Sequence, residues 1–384
     1  MPKARLKVMT IAGTRPEWIR LSKVIHALDD VVDQVIVHTG QNYDYELNGI
    51  FFNDLDLRKP DHFLEAAGET ASETIGNVII ASDRAIRQEK PDAVLLLGDT
   101  NSCVAAVAAR KNKVPVYHME AGNRCFDFNV PEELNRRLVD HVSDFNLCYT
   151  EHARRHLLAE GLPHRRIYVT GSPMHEVLNA YRGRIDKSDI LARLGLEPKK
   201  FLIASFHREE NVDNRAALTS IIDALEALSQ ILSAPVVVST HPRTRKRMEA
   251  FGISASDNLR FLKPFGFHDY NKLQMEALCA ISDSGTISEE SSMLGFPAVT
   301  IRNALERPEA MDTGSIILTG LDQQTIIDSV NLAVSDFRAG RFPPIPQDYQ
   351  IENTSQRVVR LILGTAKLSN RWQGVELNNA PDRA

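Results

Sequence analysis

A chain of 384 residues is too long for one ordinary hydrophobic core and suits two domains. Its formal charge of −5 excludes a general polyanion binder and predicts neither a nucleic-acid nor a membrane partner. With 43% hydrophobic residues wholesale disorder is excluded, and four scattered cysteines without a CxxC pair fit a reduced, cytoplasmic chain.

The first apolar run, LKVMTIA (6–12), lacks a small-residue cleavage site and leads directly into GTRPEWIR (13–20). It predicts a first strand rather than a signal peptide. In GTRPEWIR the glycine makes a turn, Pro16 starts a helix over 17–29, and Arg15 is set to face a ligand. Strand DQVIVHT (33–39) follows, then TGQNYDYEL, a helix over 70–88 and strand AVLLLG (93–98). GDTNS (98–102) puts Asp99 at that strand's end, where it is either a helix N-cap or a ligand-facing carboxylate. A helix over 101–111 leads to strand VPVYHM (114–119) and to HMEAGNRCFDFNVPEELNRR (118–137). There Glu120 ends a strand, where burial without a partner is costly. Pro131 starts a helix over 133–143 whose expected apolar face is Leu134, Leu138 and Val142. Glu132 would then meet Arg136 as a surface pair. FNLCYT (145–150) and RIYVTG (166–171) complete the first series of strands.

After a polar pause at YRGRIDKSD (181–189), the pattern restarts with FLIASF (201–206), PVVVST (235–240), LRFLKP (259–264), LCAISD (278–283) and PAVTIR (297–302). Val/Leu/Ile runs alternating with helix-length segments imply parallel sheets covered on both faces. The expected architecture is α/β: two Rossmann-like, doubly wound domains with an interdomain cleft. The boundaries are 1–180, 181–352 and a C-terminal segment 353–384, with a helix over about 353–368 and a polar, frayed tail. No apolar run nears the roughly 18 residues of a membrane helix.

Ligands of such sheets sit beyond the strands' carboxyl ends, and the polar motifs fall there. HREEN (207–211) and HPR (241–243) follow successive strands and carry His207, Arg208 and His241. They lack zinc-type spacing, so no metal is assigned. In SDSGTISEE (282–290), Ser284 can cap a helix, Gly285 permits close backbone approach, and the first turn's N–H groups suit a phosphate. The Thr286–Glu289 spacing is that of a capping box. Either Glu289 or Glu290 suits ribose hydroxyls. ERPE (306–309) reads as an exposed charge cluster. Asp99, Glu120 and Glu132 share one rim of the first sheet, an arrangement suited to proton abstraction and return.

In this order, GTRPEWIR, TGQNYDYEL, GDT, HMEAGNR, PEELNRR, TGSP, HREEN, HPR, SDSGTISEE and ERPE resemble the non-hydrolysing UDP-N-acetylglucosamine 2-epimerase family. The resemblance runs from residue 13 to about 320. It implies a GT-B fold, a homodimer, a C-terminal helix crossing back to the first domain, and chemistry without cofactor or metal. The implied substrate is a UDP-activated N-acetylamino sugar. Removal of the C2 proton would expel UDP, leaving a 2-acetamidoglycal; proton return on the other face and UDP re-addition would complete the inversion. The implied catalytic residues are Asp99, Glu120, Glu132 and His207. Substrate contacts would come from Arg15, Arg20, Gln41, Arg124, Arg136, Arg208, His241, Tyr270, Ser284, Gly285, Glu290 and Arg307.

Several positions depart from the common pattern: Gly122-Asn-Arg-Cys125 for G-L-R-T, Ser284-Gly-Thr for S-G-G, and Arg20 for a lysine. TGQNYDYE replaces TGQH-R, which argues against the family's allosteric UDP-GlcNAc site. These variants resemble the branch that forms UDP-N-acetyl-L-fucosamine. The alternatives are conversion of UDP-GlcNAc to UDP-ManNAc and a GT-B UDP-sugar glycosyltransferase.

Overall fold

The computed structural model describes residues 5–41, 52, 54–254 and 256–376. It divides into two compact units, Met1–Val177 with Ile351–Ala384, and Leu178–Gln350. The first holds β1 (Lys7–Ala12), β2 (Asp33–His38), β3 (His62–Phe63), β4 (Ala93–Leu97), β5 (Val116–Met119), β6 (Phe145–Cys148) and β7 (Ile167–Val169). They form a parallel sheet in the order β3-β2-β1-β4-β5-β6-β7. The second holds β8 (Leu202–Ser205), β9 (Val236–Ser239), β10 (Leu259–Leu262), β11 (Ala280–Ser282), β12 (Ala298–Thr300) and β13 (Ile317–Leu318). Its parallel order is β10-β9-β8-β11-β12-β13.

All five residues of β4 are buried, as are all four of β9, so helices cover both faces and uninterrupted apolar runs are required. The helix Ala71–Glu89 seats Val78, Ala85 and Ile86 in the first core. In the second core, the helix Arg215–Leu232 contributes Leu218, Ile221, Leu225 and Leu228. Asn214 caps that helix by accepting the N–H groups of Ala216 and Ala217 at 2.9 and 3.2 Å. The last helix, Thr354–Trp372, belongs to the first unit: Val358 and Ile362 are buried, and Tyr117 Oη lies 2.6 Å from Thr365 Oγ1.

Strand order reverses between β1 and β4 in one sheet and between β8 and β11 in the other. These are the topological switch points, where chain ends splay and leave room for a ligand. GTRPE follows β1 and GDT follows β4; HREE follows β8 and SDSGT follows β11.

The structure corrects the sequence reading at several points. Two-residue strands β3 and β13 form at sheet edges, too short to leave a compositional mark. Residues 101–104 form a 3₁₀ turn before the α-helix Ala105–Lys111. The polar stretch after 180 is occupied by the helix Met174–Asp186, and the last helix runs on to Trp372, past its expected end near 368. The helix Glu132–Val142 packs Val142 against the core as expected but not the other two residues of its expected apolar face. Leu134 and Leu138 are exposed, while Glu133, Asn135, Arg136 and Asp140 are buried beside Val139. The altered positions in TGQNYDYE lie outside the described residues. Among the described residues no helix is long and apolar enough to cross a membrane.

Candidate active site

In the first unit the turn after β1 is built on Glu17. Its Oε2 accepts the Gly13 and Thr14 N–H groups at 3.0 and 2.7 Å and the Thr14 hydroxyl at 2.8 Å; Thr100 donates its hydroxyl to Oε1 at 3.1 Å. This is the carboxylate of a Thr-x-x-Glu box at the helix start. Burial pushes Glu17 up from 4.5 to about 7, against those hydrogen bonds, which favour the charged form. Gly13 must be glycine, because a Cβ there would stand 1.9 Å from Thr39 Oγ1. Gln41 Nε2 donates to Thr100 Oγ1 at 3.1 Å. Sequence reasoning missed Glu17, although its box spacing was the available signal.

Glu120 directly follows β5 and adopts φ +65°, a left-handed conformation costing a non-glycine residue roughly 1–2 kcal/mol. Its carboxylate is ion-paired with the Arg20 guanidinium and accepts from Asn123 Nδ2 at 3.4 Å. A Cβ on Gly98 would lie 3.4 Å from Glu120 Oε2, so the paired ends of β4 and β5 set this acid against the residue that precedes Asp99. Asp99 meets the Arg136 guanidinium at 2.8 Å, and its carbonyl accepts from Asn135 Nδ2 at 2.9 Å. Arg136 and Asn135 lie one turn into the helix that Glu132 begins. Asp99, Glu120 and the Glu132 helix start are thus tied to one sheet rim. Arg136 pairs with Asp99 and with Glu133.

Below that rim lies a fully buried network. His118 Nδ1 meets Asp140 Oδ1 at 2.9 Å and its Nε2 meets the Gly98 carbonyl at 2.7 Å. Asp140 Oδ2 accepts from the Gly122 N–H at 3.1 Å and from Arg124 at 2.7 Å. Burial works against charge on both His118 and Asp140, but their mutual pairing wins, raising the histidine and lowering the acid. Arg124, expected to touch substrate, is fully buried; it donates to Glu160 at 2.8 and 2.7 Å as well as to Asp140. It fixes the loop that carries Glu120. Gly122, at φ +86°, admits no side chain: a Cβ would sit 2.3 Å from the Ala153 carbonyl oxygen.

In the second unit Asp283, the first residue after β11, is fully buried. Burial raises it, but the His207 ring and the His207 and Arg208 N–H groups hold it below the usual carboxylate range. His207 Nδ1 lies 3.2 Å from Asp283 Oδ1, and the His207 and His241 rings lie 5.4 Å apart. Arg208 donates to the Asp283 carbonyl at 3.1 Å. At the SDSGT turn, Ser284 Oγ accepts the Thr286 N–H at 3.3 Å. The expected Thr286–Glu289 box does not form, because Glu289 is sealed against Arg307 at 2.6 Å. A Cβ on Gly285 would face Glu306 and Arg208 at 3.5 and 3.7 Å, so the glycine leaves the turn open beneath a mixed charge pair. Glu290 Oε2 accepts from Gln274 Nε2 at 2.8 Å. The Tyr270 hydroxyl bonds Ser205 and Ser282, and burial raises its pKa.

ERPE is not an exposed charge cluster: Glu306, Arg307 and Glu309 are all buried, and Arg302 donates to Glu306 at 2.7 Å. Buried charges of this kind survive only as pairs, and each here has its counter-charge or donor within reach.

Residues 26–363 match a family model described as UDP-N-acetylglucosamine 2-epimerase. A solved UDP-N-acetylglucosamine 2-epimerase structure from Rickettsia bellii is similar at a TM-score of 0.90 and 45% identity, covering 97% of this chain and 100% of that one. The UDP-GlcNAc 2-epimerase of Methanocaldococcus jannaschii, solved in complex with UDP-GlcNAc and UDP, is similar at a TM-score of 0.87 and 32% identity. The match covers 94% of this chain and 100% of that one. A UDP-2,3-diacetamido-2,3-dideoxy-D-glucuronate 2-epimerase from Pseudomonas aeruginosa is 34% identical over 369 residues, 94% of this chain and all of the relative.

Proposed function

The chain belongs to the UDP-N-acetylglucosamine 2-epimerase family, and from that premise we propose that this UDP-sugar 2-epimerase forms UDP-N-acetyl-L-fucosamine by elimination and re-addition of UDP. The observation that supports the reading is that Asp99 and Glu120 follow neighbouring strands β4 and β5 and pair with Arg136 and Arg20, with Glu132 beginning the helix that carries Arg136.

One carboxylate takes the C2 proton as the C1–oxygen bond to UDP breaks, leaving a C1–C2 double bond in a 2-acetamidoglycal. An acid on the opposite face returns a proton to C2, and the UDP oxygen re-adds at C1. Such chemistry needs acid–base groups at the sugar and cations at the departing diphosphate. By its motif Arg15, which follows β1 at the first switch point, is the arginine assigned to the diphosphate, and Arg307 is assigned to the sugar and phosphates. Gly285 and Ser284 suit phosphate contact at the helix start, and Glu290 suits the ribose. Relatives of comparable identity are named for different UDP-amino sugars, so the sugar is assigned from this chain's own variants, Asn123 and Cys125 above all.

The test is incubation in D2O, without an acceptor, of the enzyme with UDP-6-deoxy-L-TalNAc and, separately, with UDP-GlcNAc. Deuterium should enter C2 of the first with UDP retained in the product. Exchange with UDP-GlcNAc alone reassigns the sugar. No exchange with either, but sugar transfer once an acceptor is added, overturns the epimerase chemistry. The reading extends to a cytoplasmic homodimer, and a monomer mass by light scattering would refute the dimer.

A further inference from the structure

Asp283 is held in an arrangement that does more than neutralise a neighbour. Its Oδ2 receives three N–H donors: the His207 and Arg208 backbone groups, each at 2.9 Å, and Asn211 Nδ2 at 3.0 Å. Asn211 cannot turn its amide around, because the same Nδ2 also donates to the Ile301 carbonyl at 3.0 Å. Oδ2 is therefore an obligatory acceptor. Oδ1, buried and making no hydrogen bond among the described residues, has His207 Nδ1 as an ion-pair contact at 3.2 Å. The carboxylate is wholly buried, while the side chain of His207 is 42% exposed.

We propose that Asp283 is a positioning residue for His207: it accepts the Nδ1–H, and so fixes the neutral ring in the tautomer whose Nε2 lone pair is presented to substrate. The inference rests on the reading that His207 serves the UDP-sugar reaction. A neutral imidazole carries one proton on its two nitrogens, so the partner of one nitrogen decides the role of the other. An anionic carboxylate also stabilises the ring once Nε2 has taken a proton, without taking a proton itself. The neighbouring His241 is wired differently. Its Nδ1 accepts the Arg243 N–H at 3.2 Å, so its neutral form carries the proton on Nε2. The second unit thus presents two histidines of opposite polarity, with ring centroids 5.4 Å apart.

The geometry makes Asp283→Asn an unusually clean perturbation. The three donors at the Oδ2 position require the amide oxygen there, which places the amide NH2 at the Oδ1 position. That group can only donate, so His207 Nδ1 must become an acceptor and the ring must switch to the Nε2–H tautomer. All three backbone and Asn211 hydrogen bonds are kept.

The experiment uses the full-length enzyme in three forms: wild type, Asp283→Asn and His207→Ala. Each is assayed by C2 deuterium exchange on whichever of the two UDP-sugars the wild type turns over. Long-range 1H–15N spectra at about pH 8, where an ordinary histidine is neutral, read the His207 tautomer, with His207→Ala identifying its signals. The wild type should show Nδ1–H and Asp283→Asn should show Nε2–H. Turnover in Asp283→Asn should fall by about 10²–10⁴-fold, as for loss of a general acid–base group, with KM changed by less than about threefold. An Nε2–H ring in the wild type overturns the proposal, and this spectrum requires no variant to fold. So does an Asp283→Asn enzyme within about threefold of wild-type kcat while His207→Ala is inactive. Full activity in His207→Ala refutes the underlying reading of His207 instead.

Discussion

Replacing Glu17 by glutamine should remove most of a pH-dependent loss of stability in the first unit. Burial raises this carboxyl from 4.5 to about 7, against hydrogen bonds from Gly13, Thr14 and Thr100 that pull it down. The folded state therefore binds the proton more tightly than the unfolded chain does. The stability this contributes is complete below the unfolded value of 4.5 and is lost as pH rises through about 7. At roughly 1.4 kcal/mol per pKa unit, the loss is about 3 kcal/mol once the group is ionised in both states. Glutamine matches the protonated form. Its amide oxygen takes the Oε2 position facing Gly13 and Thr14, and its NH2 takes the Oε1 position facing the Thr100 hydroxyl, 3.1 Å away. Both tryptophans, Trp18 and Trp372, lie in the first unit, so their fluorescence during urea unfolding reports that unit. At about pH 5 the two proteins should differ little, and at about pH 8.5 the variant should be more stable by about 3 kcal/mol. With a slope of about 1–3 kcal/mol per molar urea, that is a midpoint shift of about 1 M or more. A stability difference that stays flat, or shrinks, between these pH values would refute the argument.

Glu120→Gln and Glu132→Gln should each lose about 10²–10⁴-fold in C2 exchange while still binding UDP by calorimetry. Near-wild-type exchange in both would remove the acids from the mechanism. The helix Glu132–Val142 makes a contrast in urea unfolding. Leu134→Ser, on its exposed side, should change stability by less than about 0.5 kcal/mol. Asp140→Ala strips buried His118 of its carboxylate and leaves buried Arg124 with Glu160 alone, and should cost about 3–5 kcal/mol. If the leucine variant is the more damaging, the described facing of this helix is wrong.

The two sheets were legible because every central strand is buried on both faces and so must be a continuous apolar run. Their edges were not, since β3 and β13 have two residues each and are defined by pairing. The candidate site was legible as strand ends. Asp99, Glu120 and His207 each lie one or two residues past a strand, and the topology makes those positions the switch-point rims or their neighbours; Asp283, one residue past β11, was passed over inside its motif. Which polar residues face substrate and which fix others was not legible. Arg124 and Asp140 are sixteen positions apart, and nothing in the intervening residues encodes that they are buried together. Glu120's left-handed backbone is likewise invisible in HMEAGNR. It depends on the Arg20 pair and on the Gly122 turn that Asp140 holds. Backbone strain persists where surrounding contacts over-determine it, and these contacts do so.

The helix Glu132–Val142 shows why the binary pattern failed where it did. A helix that exposes Leu134 and Leu138 gives up part of the stabilisation that burying leucines supplies, roughly 1.5–3 kcal/mol for each one fully buried. What it gains is a polar inner face. Arg136 holds Asp99, Asn135 holds the Asp99 carbonyl, Asp140 holds Arg124 and His118, and Glu133 holds Arg136 and Arg137. The same face reaches the loop: Cys125 donates its N–H to Glu133 at 3.2 Å, and its Sγ lies 3.4 Å from both Glu133 and Arg136. Cys125 is thus two contacts from the Asp99 carboxylate, through Arg136. A loop substitution at that position alters the group that orients an acid, not merely the loop's shape. Local rules are expected to break at functional sites, because there the chain must bury charge to hold chemistry in place. In this helix the break falls on the turn that carries Asn135 and Arg136, the two residues that hold Asp99.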